Sequence, residues 1–504
     1  MSQRRLPEFF YNWISIGGAL LAMGSFAIIA LLVLIDLFVE STTLYLGLLT
    51  YTILPGFLVA GLVLIAVGAL LERRREAKGH GASLDPVFSL DLRNARQRTA
   101  LFIFVGGTAV FLVASALGTY KAYHITESTK FCGTLCHTVM NPEYTAYQRS
   151  AHARVACVSC HIGPGAGWFV KSKLSGAYQV YSAAFKKYHR PIETPVRNLR
   201  PARETCEQCH WPEKFFGERR HVNPRYLADE KNTPYPLTLL INTGGGGSLR
   251  GPGHGIHWHM AINNKVEYIA RDRARQEIAW LRVTNRSGQM TEFNLAENPL
   301  TVEERRQAEI RVMDCIDCHN RPSHNYRPPT REVDAALYDG RIPATLPFIK
   351  RESVKALDGD YPDTPSAMAA IDQKLRGFYQ EKFAKVSKER SAEVDAAVLA
   401  VQDIYRHSLF PEMKVTWRQY PENIGHTLSP GCFRCHGSGL TSSDGKTISR
   451  NCTSCHVLLG QGKEPGDGLM SVRGLTFKHP TDIGGAEAEG NCTACHQGGA
   501  ELYE

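Results

Sequence analysis

The segment Cys157-Val-Ser-Cys-His161 carries the pattern that decides how this chain folds, two cysteines one helical turn apart with a histidine directly after the second. The pattern recurs along the chain and uses all 14 cysteines of the 504-residue sequence. Two thiols at this spacing can add to the two vinyl groups of a haem, and the next histidine then lies under the iron. The paired cysteines are Cys132/Cys136, Cys157/Cys160, Cys206/Cys209, Cys315/Cys318, Cys432/Cys435, Cys452/Cys455 and Cys492/Cys495.

Zinc sites and disulfides are the alternative uses of paired cysteines. Zinc does not require a histidine directly after every second cysteine, so the regularity favours haem c. The first pair departs from the pattern, because Cys132-Gly-Thr-Leu-Cys136 has three intervening residues, but we still expect it to hold a haem. The sequence therefore predicts seven covalently bound haem c groups, with iron bound by the motif histidines His137, His161, His210, His319, His436, His456 and His496.

The N-terminal region has a different composition. Residues 14–35, 44–71 and 99–120 are uncharged and mostly apolar over at least the roughly 20 residues that cross a bilayer. The first run is too long for a cleavable signal peptide, lacks a small-x-small exit and is followed by further spans. We therefore expect three retained transmembrane helices in a membrane domain of residues 1–125.

Basic residues predict the orientation of these spans. Arg4 and Arg5 precede the first span, and seven Lys and Arg residues lie between Arg73 and Arg98, whereas the loop after the first span has none. By the positive-inside rule the N-terminus is cytoplasmic and everything after Tyr120 is periplasmic. Haem c is attached on that outer side of the membrane, so the predicted topology agrees with the cysteine motifs.

The rest of the sequence predicts a mainly α fold with much irregular, haem-wrapping chain, because haem is itself a large apolar core element. Alternating runs at 266–270, 277–283 and 290–295 predict strands, and 365–386 and 392–407 predict helices. The formal charge of +9 is offset by two propionates per haem, so we expect no nucleic-acid partner. The predicted parts are a tetrahaem module at 126–220 and 310–326, a β-rich insertion at 221–309, a helical spacer at 327–412 and a trihaem module at 413–504.

Each iron needs a second axial ligand, and the supply of histidine limits the choice. Of the 19 histidines, seven lie in the motifs and two, His80 and His124, in the membrane segment, which leaves ten. His426 and His479 stand shortly before motifs and are strong candidates. In His257-Trp-His259 both imidazoles would lie on one side of a strand, so that one could ligate. The further candidates are His221, His257, His259 and His407.

The early motifs resemble a known family. Four segments carry the resemblance. They are Cys132-Gly-Thr-Leu-Cys-His-Thr-Val-Met140-Asn-Pro-Glu-Tyr144, Ser150-Ala-His152, Cys157-Val-Ser-Cys-His-Ile-Gly-Pro164 and Lys171-Ser-Lys173. Together they resemble the NapC/NirT family of membrane-bound tetrahaem quinol dehydrogenases. The resemblance resumes at Cys315-Ile-Asp-Cys-His-Asn-Arg-Pro-Ser-His324. That family has one membrane helix and lacks the inserted residues 211–314. Three spans with seven motifs look like the ImcH-type inner-membrane cytochromes of metal-respiring bacteria.

The resemblance implies further site residues. His152 and His324 match distal ligands of the family, and Lys173 matches a lysine of its quinol site, with Lys171 as the neighbouring alternative. A methionine near the position of Met140 ligates the first iron in the family. The spacing there is one residue shorter, so either Met140 or His137 could be the ligand here.

Three classes of function fit these patterns. The first is a quinol-oxidising cytochrome, a quinol:cytochrome c oxidoreductase that takes electrons from menaquinol or ubiquinol in the lipid bilayer and passes them to periplasmic c-type cytochromes in anaerobic or extracellular respiration. The second is a catalytic multihaem reductase of a nitrogen oxyanion, which needs an open iron site. The third is a membrane anchor that relays electrons to a partner reductase. Long spans beside the first motif favour the first class.

Overall fold

A computed structural model describes residues 12–38, 49–80, 93, 95–196, 199–211, 217–244, 255–261, 264–462, 470–489 and 491–503. The chain divides into two compact units, Met1–Leu135 and Cys136–Glu504. The proposed subdivision of the second unit into modules stays a prediction.

The first unit is helical. Three of its helices are long and apolar enough to cross a membrane, over Trp13–Leu32, Leu54–Glu72 and Val105–Thr126. They correspond to the three predicted spans, although residues 44–48 of the second prediction lie outside the described residues. The elements are α1 (Trp13–Phe38), a π-helical turn (Leu49–Ile53), α2 (Leu54–His80), α3 (Ala95–Thr126) and α4 (Thr129–Thr134).

Small residues allow α1 and α2 to approach closely. A Cβ on Gly18 would lie 2.7 Å from the carbonyl oxygen of Gly61, and a Cβ on Gly61 would lie 2.6 Å from the backbone nitrogen of Ala22. The hydroxyl of Ser15 donates a hydrogen bond to the carbonyl of Ile65 across the pair, at 3.1 Å. Van der Waals packing of small residues and interhelical hydrogen bonds stabilise helix pairs in lipid, so α1 and α2 form a tight pair.

The second unit contains one large apolar core. Helices from residue 329 to residue 408 bury Val333, Ile349, Ile371, Leu375 and Val401 almost completely. The segment predicted as a helical spacer therefore supplies most of this core, which Ala146, Tyr326 and Tyr420 extend on either side in the sequence. The helices of the unit are α5 (His137–Gln148), α6 (Cys157–His161), α7 (Ala166–Ala184), α8 (Ala202–Cys206), α9 (Val302–Gln307), α10 (Cys315–Cys318), α11 (Pro329–Tyr338), α12 (Ile349–Leu357), α13 (Thr364–Lys382), α14 (Ala384–Glu389), α15 (Ser391–Ser408) and α16 (Ala486–Glu489).

Two antiparallel sheets complete the unit. A three-stranded sheet has the order β1-β2-β8, and a five-stranded sheet has the order β6-β3-β4-β5-β7. The structure has strands at all three stretches where alternation predicts them. The strands are β1 (Glu218–Asn223), β2 (Leu237–Asn242), β3 (Lys265–Ala270), β4 (Ile278–Thr284), β5 (Met290–Leu295), β6 (Arg311–Val312), β7 (Leu440–Ser442) and β8 (His456–Gln461).

Both sheets draw one strand from the region of the last three cysteine motifs. Leu239 of β2 pairs with Leu458 of β8, and Asn294 of β5 pairs with Thr441 of β7. An edge strand of each sheet therefore comes from the C-terminal part of the chain, outside the predicted insertion 221–309. The sequence does not reveal this pairing, since β7 has only three residues and β8 begins at His456 of the sixth motif.

Candidate haem-binding sites

Six of the seven motif histidines face an off-motif histidine across a short gap. The distance between the two ring centroids varies little from pair to pair. The pairs are His152–His210 at 6.1 Å, His161–His324 at 6.2 Å, His257–His319 at 6.4 Å, His259–His436 at 5.9 Å, His426–His456 at 6.1 Å and His479–His496 at 6.0 Å.

This spacing fits two axial ligands of one metal. A metal–imidazole bond is about 2 Å long and the bound nitrogen is roughly 1 Å from the ring centroid, so imidazoles on opposite sides of one iron have centroids about 6 Å apart. Stacked rings in van der Waals contact lie closer, as His426 and Phe433 do at 4.2 Å. The residues present therefore fit a haem between each pair of imidazoles.

Burial lowers the pKa of six of these twelve imidazoles. For His161 the desolvation is reinforced by the neighbouring His324. A neutral imidazole is the form that binds a metal, because its second nitrogen then has a free lone pair. The environment therefore favours the ligating form. The pKa is lowered by burial in His161, His259, His319, His426, His456 and His496.

Five of the predicted attachment cysteines are exposed, and Cys209 and Cys495 illustrate the pattern. Cys209 of the third motif and Cys495 of the seventh are exposed, whereas Cys206 and Cys492, the first cysteines of the same motifs, are partly buried. The backbone N–H of Cys209 donates to the carbonyl of Cys206 at 3.1 Å, and that of Cys495 to Cys492 at 3.2 Å.

The exposure of Cys209 and Cys495 has a physical reason. Each motif is a single short turn with few apolar side chains of its own, so the apolar group that would cover its thiols is the haem. The backbone therefore sets the spacing of the two thiols, but protein packing does not bury the second one. Haem attachment at Cys209 and Cys495 stays a prediction. The same exposure is found at Cys160, Cys432 and Cys452.

The His257-Trp-His259 segment differs from its prediction. It forms a 3₁₀ helix, Ile256–Met260, rather than a strand. Gly255 precedes it with φ 72°, a conformation that glycine adopts without strain. The imidazole of His257 faces His319, whereas that of His259 faces His436, so each of the two pairs with a different motif. The sequence predicted both rings on one side of a strand, so that one could ligate. The turn that separates the rings depends on tertiary packing and is not visible in the sequence.

Two predicted ligands lie apart from the motif histidines. His407, on α15, has its Nδ1 3.1 Å from a carboxylate oxygen of Asp403. His221 lies exposed on β1. In the described part of the chain, neither ring contacts a motif histidine.

The first motif is less defined. It crosses the boundary between the two units, and the side chain of His137 lies outside the described residues. Met140 is half-buried on α5, and its backbone N–H donates to the carbonyl of Cys136 at 2.9 Å. The alternatives for the ligand of the first iron remain Met140 and His137.

The fourth motif is fixed to the five-stranded sheet through its own intervening residue. Asp317, only 3% exposed, lies between Cys315 and Cys318. Its Oδ1 accepts hydrogen bonds from Tyr268 at 2.7 Å, Arg275 at 2.9 Å and Arg311 at 3.0 Å. Two guanidinium groups compensate the buried carboxylate, which would otherwise be costly. The desolvated hydroxyl of Tyr268 beside this carboxylate has a raised pKa.

Successive motifs touch one another. Arg434, inside the fifth motif, donates to the carbonyl of Asp317 in the fourth at 2.7 Å. The side chains of Cys206 and Cys315 lie next to each other across the third and fourth motifs. Phe433 of the fifth motif stacks on His426, which pairs with His456 of the sixth. All 14 cysteines lie in described ranges and none forms a disulfide. The motifs from the third to the sixth therefore form a contiguous series.

The two lysines predicted at a quinol site lie on α7. The Nζ of Lys171 is 4.8 Å from the ring centroid of Trp168, and that of Lys173 is 4.8 Å from the centroid of Phe169. The same helix exposes Leu174 and Tyr178. An apolar surface with Lys and aromatic side chains has the composition of a membrane interface.

Paired imidazoles, paired cysteines and apolar helices define a membrane-bound multihaem c-type cytochrome. Residues 94–197 match the model of the NapC/NirT cytochrome c family, N-terminal region. The chain is 43% identical to the cytochrome c-type protein ImcH of Geobacter sulfurreducens over 503 residues, covering 99% of this chain and 98% of that protein. This chain belongs to the NapC/NirT cytochrome c family and is an ImcH-like membrane electron-transfer protein.

A second relative matches a smaller part. The cytochrome c-type protein NrfH of Wolinella succinogenes is 32% identical over 119 residues, which covers 22% of this chain and 66% of that protein. No solved structure matches the chain.

Proposed function

We propose that this chain oxidises a membrane quinol, menaquinol or ubiquinol, and passes the electrons to periplasmic c-type cytochromes. The observation that carries the proposal is the set of six histidine pairs at axial-ligand spacing in a chain with three membrane-length helices. Haem iron supplies a one-electron change between its ferric and ferrous states.

The ligand set follows from the pairs. Each pair of motif cysteines holds one haem covalently, which gives seven haem groups for 14 cysteines. Six irons have two imidazole ligands and therefore no open position. This supports electron transfer over the catalytic reduction of a nitrogen oxyanion, which needs an open iron. For the iron of the first motif the alternative ligands are His137 and Met140, and one face of that haem can remain open.

Electrons enter at the first motif. Cys132 follows Tyr120, the end of the third predicted span, by only twelve residues, so a lipid-soluble donor reaches this motif first. Oxidation of a quinol releases protons, and a cation beside the ring stabilises the developing quinolate. Lys173 supplies that cation, with Lys171 as the alternative. The electrons leave from the last three motifs.

The orientation is part of the proposal. The basic segment between Arg73 and Arg98 faces the cytoplasm, and the second unit lies in the periplasm. Reporter fusions after Lys78 and after the last residue should report opposite sides of the inner membrane. The same compartment at both positions contradicts this topology.

A quinol assay on the isolated chain tests the function. Lys173→Met should slow reduction of all haems by a menaquinol analogue by about 100-fold, because one stabilising charge is lost. Reduction by dithionite should be unchanged. Lys446→Met, in the turn after β7, is the control and should match the wild type.

Two results contradict the proposal. If the Lys173→Met and Lys171→Met variants are both reduced by quinol at the wild-type rate, the proposed site of electron entry is wrong. No quinol oxidation by the isolated wild-type chain would instead favour a relay subunit that needs a partner reductase.

A further inference from the structure

Glu143 lies beside one of the paired histidines. It is on α5, and its side chain is 16% exposed. Its Oε2 is 3.1 Å from Nδ1 of His324, and its backbone carbonyl oxygen is 2.9 Å from the same nitrogen. His324 faces His161 of the second motif. When the other ring nitrogen of His324 faces the iron, its Nδ1–H donates to Glu143.

The other five off-motif imidazoles that face a motif histidine have different groups near Nδ1. Nδ1 contacts a backbone carbonyl in His257 at 2.9 Å, in His259 at 2.8 Å and in His479 at 2.7 Å. In His152 the carbonyl is 3.3 Å away. Nδ1 of His426 is buried, and no described residue hydrogen-bonds to it. His324 has a carboxylate oxygen beside its Nδ1 in addition to a backbone carbonyl.

Arg321 holds the carboxylate in place. Its Nη2 is 3.1 Å and 3.2 Å from the two carboxylate oxygens of Glu143. The guanidinium carbon lies 4.9 Å from the ring centroid of Tyr326 and 4.1 Å from that of Tyr420. The arginine side chain is only 8% exposed, so its charge is also largely shielded from water. A positive and a negative group therefore act together on one imidazole.

The two charges act on the iron in opposite directions. A carboxylate that accepts the outer N–H of a ligating histidine raises the basicity of the ligand. A more basic ligand and a nearby negative charge both stabilise ferric over ferrous iron, which lowers the potential. A nearby guanidinium does the reverse, since it attracts the added electron.

We propose that Glu143 and Arg321 are positioning residues that set the potential of the haem bound at Cys157 and Cys160, Glu143 lowering it and Arg321 raising it. The inference deepens the proposed function and depends on ligation of one iron by His161 and His324. The balance of these two charges then determines the potential at which the haem of the second motif accepts and releases an electron.

The test is a redox titration of the purified full chain, followed by visible and paramagnetic resonance spectroscopy. His324→Met replaces one axial ligand and so identifies the component of this haem. Glu143→Gln preserves shape and should raise the ferrous-to-ferric ratio of that component at least tenfold at a fixed potential, a 59 mV shift for one electron. Arg321→Met should shift the same component in the opposite direction. Glu292→Gln is the matched control. Glu292 lies on β5 and pairs with Arg305, and its replacement should leave the potential of every haem component unchanged.

The outcomes distinguish the tuning role of Glu143 and Arg321 from the pairing of His161 and His324 on one iron. If His324→Met alters one component and Glu143→Gln alters none, the tuning role is wrong and the ligand pairing stands. Shifts of the same sign in Glu143→Gln and Arg321→Met indicate general disturbance of the site and also overturn the tuning role. If His324→Met leaves every component unchanged, the pairing is wrong, and with it the ligand set of the proposed function.

Discussion

The helical core and the cysteine motifs of the second unit obtain their stability in different ways. In the helical core, α11 to α15, side chains such as Ile371 and Leu375 are at most 1% exposed and pack on one another. The motif helix α6 and the 3₁₀ turns Cys452–Ser454 and Cys492–Ala494 contain no buried residue. The first region has a conventional apolar core, whereas the motif segments need the haem itself as their core.

The largest expected effect follows from withholding haem. In protein made in a host without haem-attachment machinery, residues 329–408 should keep their protection against hydrogen exchange. The motif segments should exchange at close to the rate of an unstructured chain, because their own side chains bury too little surface. Hydrogen exchange with mass spectrometry measures both regions in one sample. Equal loss of protection in both would remove the distinction.

A cavity in the helical core should also reduce the stability of the protein strongly, although it lies away from the cysteine motifs. Ile371→Ala should lower the free energy of unfolding by about 2–5 kcal/mol. Leu399→Ala, on α15 where the side chain is 64% exposed, is the control and should change it by less than about 0.5 kcal/mol. Denaturation followed by far-ultraviolet circular dichroism measures the difference. A similar cost at both positions would mean that the core is not where stability resides.

A smaller effect is expected where a motif depends on protein contacts. Asp317→Asn should destabilise the fourth motif by about 1–3 kcal/mol, because Arg275 and Arg311 lose their compensating charge. Asp444→Asn, at an exposed pair with Lys446, is the control and should leave the stability nearly unchanged, because solvent screens exposed ion pairs. Thermal unfolding followed at the haem absorption band should show the first effect. No change in Asp317→Asn would indicate that haem alone holds this motif.

The smallest effect on stability is expected from changes to single histidines, which are detected by spectroscopy. They test whether the helical core contributes a haem ligand. His259→Ala should convert one low-spin iron to high spin, because it removes the imidazole that faces His436. His407→Ala should leave the spectrum unchanged, since its ring contacts Asp403. Paramagnetic resonance of the oxidised protein counts both forms. A high-spin signal in His407→Ala would extend haem ligation into the helical core.

Local patterns predicted much of this molecule. Cysteine spacing located the motifs, apolar length located α1 to α3, and alternation located β3 to β5. His152, His324, His426 and His479 were predicted as ligands, and each faces a motif histidine. Their pairing could not be predicted, because which imidazoles meet depends on contacts between distant segments. The edge strands β7 and β8 could not be predicted for the same reason, because their partner strands lie far earlier in the chain.

The shared sheets have a consequence for how the protein is made. A chain synthesised from its N-terminus contains β2 and β5 long before β7 and β8 are added. Until residues 440–461 are available, β2 and β5 lack a partner strand, and open sheet edges are templates for aggregation. Non-local strand pairing is also slow to form. A truncation before residue 440 therefore removes the strand that pairs with β2 in one sheet and with β5 in the other.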